Sequence, residues 1–169
     1  MIDKELLALF TRIAVALETV ASPSLPSRKA GLEGADAFVW QAEPGYLRPG
    51  TKVNRVALSL LKGVDQQRAV LLENTLQFAK GLPANNVLLW GARGMGKSSL
   101  IKSVHGAVNE QLGRKSSVAR LALVEIHRED ITALPGLLSA LRYERRRVVV
   151  FCDDLSFDGQ DATFKSLKA

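Results

Sequence analysis

Eight consecutive residues, 91–98, have the types and spacing of a phosphate-binding loop. Their sequence, Gly-Ala-Arg-Gly-Met-Gly-Lys-Ser, meets the pattern G-x-x-x-x-G-K-[ST] at every fixed position. Glycines let backbone N–H groups converge on phosphate oxygens that bulkier residues would obstruct, and a following helix adds its positive N-terminal end. We therefore expect this loop to bind a nucleotide. The predicted contact residues are Gly91, Ala92, Arg93, Gly94, Met95, Gly96, Lys97, Ser98 and Ser99.

Two side chains of the loop have predicted chemical roles. Lys97 is placed to reach the β- and γ-phosphates, and Ser98 to bind Mg²⁺ through its hydroxyl group. For Arg93, a contact with phosphate, a contact with a neighbouring subunit and a solvent-facing side chain all stay open.

A second candidate element is an apolar strand that ends in two carboxylates. Three valines and a phenylalanine precede Cys152, Asp153 and Asp154. Two solvated aspartates at a strand end would be unremarkable alone, but an upstream phosphate loop favours a functional pair. Asp153 would hold Mg²⁺, usually through its water shell, and Asp154 would orient or deprotonate an attacking water. Asp154 is shorter than the glutamate that commonly stands there. Cys152 fits a small buried core residue.

Alternating apolar and helical patterns predict the elements that position these residues. Asp65 is a predicted N-cap, and Gly81 followed by Pro83 ends that helix. Strands that alternate with helices imply an α/β fold with a parallel sheet covered on both faces. The predicted strands are 86–90, 118–126 and 147–152, and the predicted helices are 66–80, 98–112, 130–144 (interrupted near Pro135-Gly136) and a stretch from Asp161.

The amino-terminal part has a different pattern. Residues 2–20 predict an amphipathic helix, because their apolar side chains keep to one stripe of a 3.6-residue period. Residues 28–50 are interpreted as irregular, and 51–61 as a short helix. We therefore expect a small, mostly helical region over 1–57 and a nucleotide-binding domain over 58–169.

Composition narrows the functional classes. The chain has 169 residues, 47% of them hydrophobic, and a net charge of +6, which favours acidic partners such as nucleotide or nucleic acid. One cysteine fits a reducing compartment. No apolar run approaches the ~20 residues that span a bilayer, and the amino terminus is a poor secretion signal. The expected location is the cytoplasm, with no membrane partner.

With both motifs placed, the chain resembles the AAA+ ATPases, and especially a bacterial AAA-type family annotated only as ATP-binding. The resemblance implies a P-loop NTPase fold, ATP and Mg²⁺ as ligands, ATPase activity and a homo-oligomer in the full-length parent. It also implies that Val64, with Gly63 and Asp65, forms part of the adenine pocket. The matching stretches are 63–67, 72–75, 85–100, 151–157 and 161–169.

The chain departs from the AAA+ pattern in one major way. An AAA+ core has the strand order 5-1-4-3-2, and this sequence stops after the third strand. The fourth strand, which belongs between the first and third, has no counterpart, and neither do the arginine finger and the helical lid. We therefore expect an incomplete sheet with unpaired backbone groups, a fragment of a longer protein, and slow or absent hydrolysis by the fragment.

Three functions stay open from the sequence. The first is an ATP-binding module whose parent couples hydrolysis to remodelling or loading of a partner. The second is a nucleotide-gated adaptor that binds without turnover and contacts a protein partner through its amino-terminal region. The third is a DNA-associated loader-type ATPase, for which net charge and the arginine-rich run 142–147 are the support.

Overall fold

The computed structural model describes residues 32–50, 55–113, 119–153 and 155. The chain divides into two units, Met1–Ala30 and Gly31–Ala169, and every described residue lies in the second. The helix predicted over 2–20, the second carboxylate Asp154 and the helix predicted from Asp161 lie outside the described residues.

A four-stranded sheet forms the centre of the described unit. Strands β1 (Ala37–Gln41) and β2 (Tyr46–Pro49) pair as an antiparallel hairpin. Strand β3 (Ala122–Ile126) is parallel both to β1 and to β4 (Val148–Cys152), so the order is β2-β1-β3-β4. The sheet is thus mostly parallel.

Among the described residues, three helices flank the sheet in two layers. They are α1 (Asp65–Ala79), α2 (Lys97–Gly113) and α3 (Leu134–Leu141). Two 3₁₀ segments, Leu58–Leu60 and Arg128–Ala133, precede α1 and α3. None of the helices among the described residues is long and apolar enough to cross a membrane.

Strand β3 is buried from both sides, which makes it the centre of the fold. Ala122, Val124 and Ile126 belong to a core cluster that also contains residues of β1 and α3. Leu121 belongs to a second cluster with residues of α1 and α2. A parallel strand between two helical layers reads as a nearly continuous apolar run, as this one does. The predicted α/β architecture, with helices on both faces, is confirmed.

The interpretation of residues 28–50 as irregular was wrong for the part that forms the hairpin. Phe38 and Trp40 alternate with less buried neighbours and face the core, the period-2 pattern of a half-buried strand. Gly45, at φ 88°, lies in the turn between the strands. Pro44 and Gly45 belong to the turn, whereas Pro49 ends β2. The sheet therefore contains strands from both sides of residue 58, where the sequence predicts a boundary.

The strand predicted over residues 86–90 is absent. Residues 83–90 form no helix or strand, and no backbone–backbone hydrogen bond joins them to another described residue. Leu88 and Trp90 are 63% and 88% exposed. A strand requires a neighbour for its N–H and C=O groups, and none of the described strands pairs with this run.

The helix ends agree with the sequence at some positions and differ at others. Gly81, at φ 82°, ends α1 in a Schellman motif, with N–H bonds from Gly81 to Phe78 O and from Leu82 to Gln77 O, both 3.0 Å. The N-cap is Val64, and Asp65 is the first helical residue. Pro135 lies in the first turn of α3, where a missing N–H costs nothing, so it starts that helix and does not interrupt it. In 55–61 the expected helix shrinks to one 3₁₀ turn.

Candidate functional site

The phosphate-loop motif has a backbone that requires its glycines. Gly91, Gly94 and Gly96 have φ values of 143°, 82° and 80°, a region that L side chains rarely adopt. A Cβ atom built at each of the three would have no atom within 4 Å from any described residue beyond its two chain neighbours. The glycines are therefore needed for chain direction, and the space around them is open enough to admit a ligand.

Lys97 begins helix α2 and folds back over the loop. Its ammonium group donates hydrogen bonds to the carbonyl oxygens of Gly91, at 3.0 Å, and Ala92, at 2.9 Å. An ammonium group has three donors, so one remains for a further acceptor. The side chain thus links the two ends of the loop and places a positive charge inside it.

The amino end of α2 adds backbone donors beside that charge. The N–H of Leu100 bonds to Gly96 O at 2.8 Å, which begins the helical ladder. The N–H groups of Lys97, Ser98 and Ser99 come before that bond, and first-turn donors of a helix have no partner within it. Together with the helix dipole they make this end attractive to an anion.

Contacts along α2 fix its direction on the sheet. Near its start, Lys102 forms an ion pair with Glu125 of β3 at 3.2 Å and lies 5.4 Å from the ring centroid of Phe151 in β4. Further along, His105 Nε2 and Asn109 Nδ2 each lie 2.9 Å from Leu121 O, just before β3. The helix therefore runs antiparallel to β3, with its amino end at the carboxyl ends of β3 and β4.

Asp153 lies at that same edge of the sheet. It follows β4 directly, two residues beyond Phe151, and is exposed. Two extended residues advance a chain by about 6–7 Å, and the five helical residues from Lys102 back to Lys97 span about 7.5 Å in the same direction. The loop and Asp153 thus project from one edge, where ligands bind in open α/β sheets. Asp154 lies outside the described residues.

Cys152 is half-buried at the end of β4. Burial, followed by the nearby carboxylates of Asp153 and Glu125, raises the pKa of its thiol to about 11. The thiol is therefore protonated at neutral pH, a poor nucleophile and a poor metal ligand.

Val64, the predicted adenine contact, lies half-buried at the amino end of α1. The segment before it follows α2. Arg55 pairs with Glu110 at 2.9 Å, and the hydroxyl of Ser103 donates to Val56 O at 2.7 Å. These contacts hold residues 55 and 56 against α2. The backbone carbonyl of Val64 accepts the N–H of Arg68 at 2.8 Å.

The arginine-rich run 142–147 is divided between different contacts. Arg146 donates to the carbonyl oxygens of Ala35 and Arg120 and to the carboxylate of Asp36, between 2.7 and 3.0 Å. Arg147 lies 5.3 Å from the ring centroid of Phe78. These two cations bind the sheet and α1, so they stabilise the fold. A nucleic-acid contact by the run stays a prediction.

Sequence reasoning missed two asparagines that bond to backbone. Asn109 Oδ1 accepts the N–H of Leu121 at 2.8 Å, and its Nδ2 donates to Leu121 O. Asn74 bonds to Asn85 in the same reciprocal way, both at 2.9 Å. Asparagine is unfavourable inside helices because its side chain competes for backbone groups. The position of each asparagine inside a predicted helix was the signal in the sequence that could have indicated a side-chain bond to backbone.

The comparisons with known proteins give a family without a function. The chain belongs to the family described as "Protein of unknown function (DUF815)", which matches residues 33–169. No curated protein matches the chain, and no solved structure matches it. The match covers β1 to β4 and the phosphate-loop motif, so the hairpin and the loop belong to one family unit.

Proposed function

We propose that this family member binds Mg-ATP through residues 91–98 and is an ATPase of the AAA+ type. The observation that carries the proposal is the loop itself. Three left-handed glycines lead directly into a helix whose first residue, Lys97, holds its ammonium group over the loop. A glycine-rich turn with no ligand would need neither the lysine nor the free helix end.

The residues present fit a polyphosphate. The space beside the three glycines is open, and the N–H groups at the start of α2 have no partner within the helix. Lys97 has a donor left and is half-buried, so its charge acts on a bound anion through a less polar medium than water. We assign the phosphates to residues 91–99 and the adenine ring to the Val64 segment.

A hydroxyl and a carboxylate suit Mg²⁺, which prefers oxygen ligands and keeps several waters. Ser98 is the second residue of α2, and Asp153 projects from the same edge of the sheet. When bound, the ion would neutralise charge on the phosphates. Within the proposal, Lys97 stabilises negative charge near the γ-phosphate, and Asp154 orients the water that attacks it.

The pattern of residues supports the AAA+ type. A second support is the relative position of two strands. The strand that precedes the loop and the strand that ends at Asp153 are not neighbours in an AAA+ core, since its fourth strand lies between them. Here β4 pairs with β3 on one side, and the run 86–90 is outside the described sheet. That arrangement is compatible with the proposed order.

Calorimetric titration tests the proposal, with ATP added to the wild-type chain and to Lys97→Ala, each with and without Mg²⁺. Hydrogen bonds to a charged group contribute about 1.5–3 kcal/mol, so the variant should bind about 10- to 100-fold more weakly. Lys80→Ala is the matched control, because it removes one positive charge from an exposed residue at the carboxyl end of α1. It should bind as the wild type does. Equal micromolar binding by the wild type and Lys97→Ala would overturn the proposal.

A second pair of variants tests the metal. Ser98→Ala and Asp153→Asn should bind ATP without Mg²⁺ about as well as the wild type, but gain less affinity when Mg²⁺ is added. If both variants keep the full gain from Mg²⁺, these residues are not its ligands.

A further inference from the structure

We propose that Asn74 is a positioning residue for the nucleotide site, an inference that rests on the proposed function above. Asn74 lies in α1 and touches none of the loop residues 91–98 through a hydrogen bond that joins described residues. It acts through Asn85, six residues before Gly91. We call its two bonds to Asn85 the asparagine bridge.

The bridge satisfies both backbone groups of one residue. Asn74 Nδ2 donates to Asn85 O, and Asn74 Oδ1 accepts the N–H of Asn85, each at 2.9 Å. A side-chain amide thereby makes the pair of bonds that a neighbouring strand would make. Among the described residues, no other hydrogen bond reaches the backbone of 83–90. The chain that enters the loop is therefore held by this bridge and by the packing of Leu89 against the core cluster of α1 and α2.

The bridge is attached to a rigid part of the molecule. Three residues after Asn74, Gln77 accepts the Schellman bond that ends α1. The neighbouring Leu71 is buried in the core cluster shared by α1 and α2. Asn85 is thus fixed to the layer that also carries α2, the helix that begins at the loop.

Phosphate binding would make the loop depend more strongly on this bridge. In the structure, Lys97 also restrains the start of the loop, by its bonds to Gly91 O and Ala92 O. The third ammonium donor can contact one phosphate oxygen, but a contact with a second phosphate oxygen takes a donor from one of those carbonyl oxygens. The asparagine bridge then remains to hold the incoming chain. Loss of the bridge lowers the population of the binding-competent loop, and apparent affinity falls by the same factor.

The experiment compares five chains, the wild type and four variants, by ATP titration with Mg²⁺ and by amide hydrogen exchange. Asn74→Ala removes the bridge, and Asn74→Asp keeps the acceptor but loses the donor. The bridge consists of two exposed hydrogen bonds, each with a net free energy near the low end of the usual range for hydrogen bonds. Asn74→Ala should therefore bind ATP about three- to tenfold more weakly. Exchange at the N–H of Asn85, which the bridge protects, should become faster in the same variant without nucleotide.

Two controls separate positioning from general stability. Asn85→Ala keeps the backbone groups that the bridge uses, so affinity should equal that of the wild type. Leu123→Ala removes a side chain that is 2% exposed in β3, far from the bridge in sequence, and lowers stability more than Asn74→Ala does. Its affinity at a temperature well below its unfolding transition should stay within twofold of the wild type, about 0.4 kcal/mol.

The outcomes distinguish this inference from the function on which it rests. Weaker binding by both Asn74 variants, with Asn85→Ala unchanged, supports it. Wild-type affinity in Asn74→Ala overturns it and leaves the proposed function intact. Equal weakening of Asn74→Ala and Leu123→Ala also overturns it, because general stability then explains the loss. Absence of ATP binding by the wild type overturns the proposed function and this inference together.

Discussion

Two apolar runs in this chain have similar composition, but one forms a buried strand and the other does not. The run 121–126, Leu-Ala-Leu-Val-Glu-Ile, supplies β3 and is buried between two helical layers. The run 86–90, Asn-Val-Leu-Leu-Trp, forms no strand and exposes Leu88 and Trp90. Both sequences predict a buried strand. The difference teaches that a strand depends on its neighbours as much as on its own residues.

Each run begins beside an asparagine that makes the same pair of bonds. Asn109 bonds to the N–H and C=O of Leu121, and Asn74 bonds to those of Asn85. Both asparagines lie on helices of the same layer. The first run then pairs with strands on both sides, whereas the second continues into the phosphate loop. The two helices bind the starts of both runs in the same way. The runs differ in that the first pairs with strands of the described sheet and the second does not.

The largest expected difference comes from one substitution made in each run. Leu123→Ala removes a buried side chain and should lower the free energy of unfolding by about 2–5 kcal/mol. Leu88 is 63% exposed, so Leu88→Ala should change the same quantity by less than about 0.5 kcal/mol. Urea denaturation measures both. A cost for Leu88→Ala as large as that for Leu123→Ala would mean that the run 86–90 is buried in solution.

The asparagine pair should show the same contrast at a smaller scale. Asn109→Ala leaves the N–H of Leu121 buried without a partner and should cost about 2–3 kcal/mol. Asn74→Ala leaves groups on the exposed Asn85 that water can reach, so the cost should be about 1 kcal/mol. Thermal unfolding of the two variants at one pH gives the order. The reverse order would contradict the contrast between buried and exposed bridges.

The attachment of β3 also contains a titratable group, which the run 86–90 lacks. Burial lowers the pKa of His105 below 6.5, and a hydrogen bond to Leu121 opposes that shift only in part. The unfolded chain therefore binds a proton more readily, so stability should fall as pH drops below about 6.5 and level off below the folded pKa. His105→Gln should lose this part of the pH dependence. Unfolding curves at pH 7.5 and 5.5 that decline equally in both chains would contradict the assignment.

How much the sequence predicts depends on whether the decisive partner is local. The loop 91–98, the helix after it and the stop at Gly81 were predictable, because each depends on residues a few positions apart. Strands β3 and β4 were predictable from unbroken apolar runs. The α/β class followed from their alternation with helices.

The rest depended on distant partners. Residues 37–49 form a hairpin because Phe38 and Trp40 pack in a core with residues of β3 and α3. Two of those residues, Ala122 and Leu137, are more than 80 positions away from them in sequence. The run 86–90 is no strand because no described strand lies beside it. The role of Arg146 needed the backbone of residues 35 and 120 in space. The pattern of residue types along the chain does not show which distant residues come into contact.

The most direct measurement of the central claim is an amide nuclear magnetic resonance titration of the chain with ATP and Mg²⁺. We expect the largest shifts at the N–H groups of Gly94, Gly96, Lys97, Ser98 and Ser99, since these donors face the proposed phosphates. Lys97→Ala should show the same shifts only at ATP concentrations about 10- to 100-fold higher. Shifts confined to other parts of the chain, or none at millimolar ATP, would contradict binding at this loop.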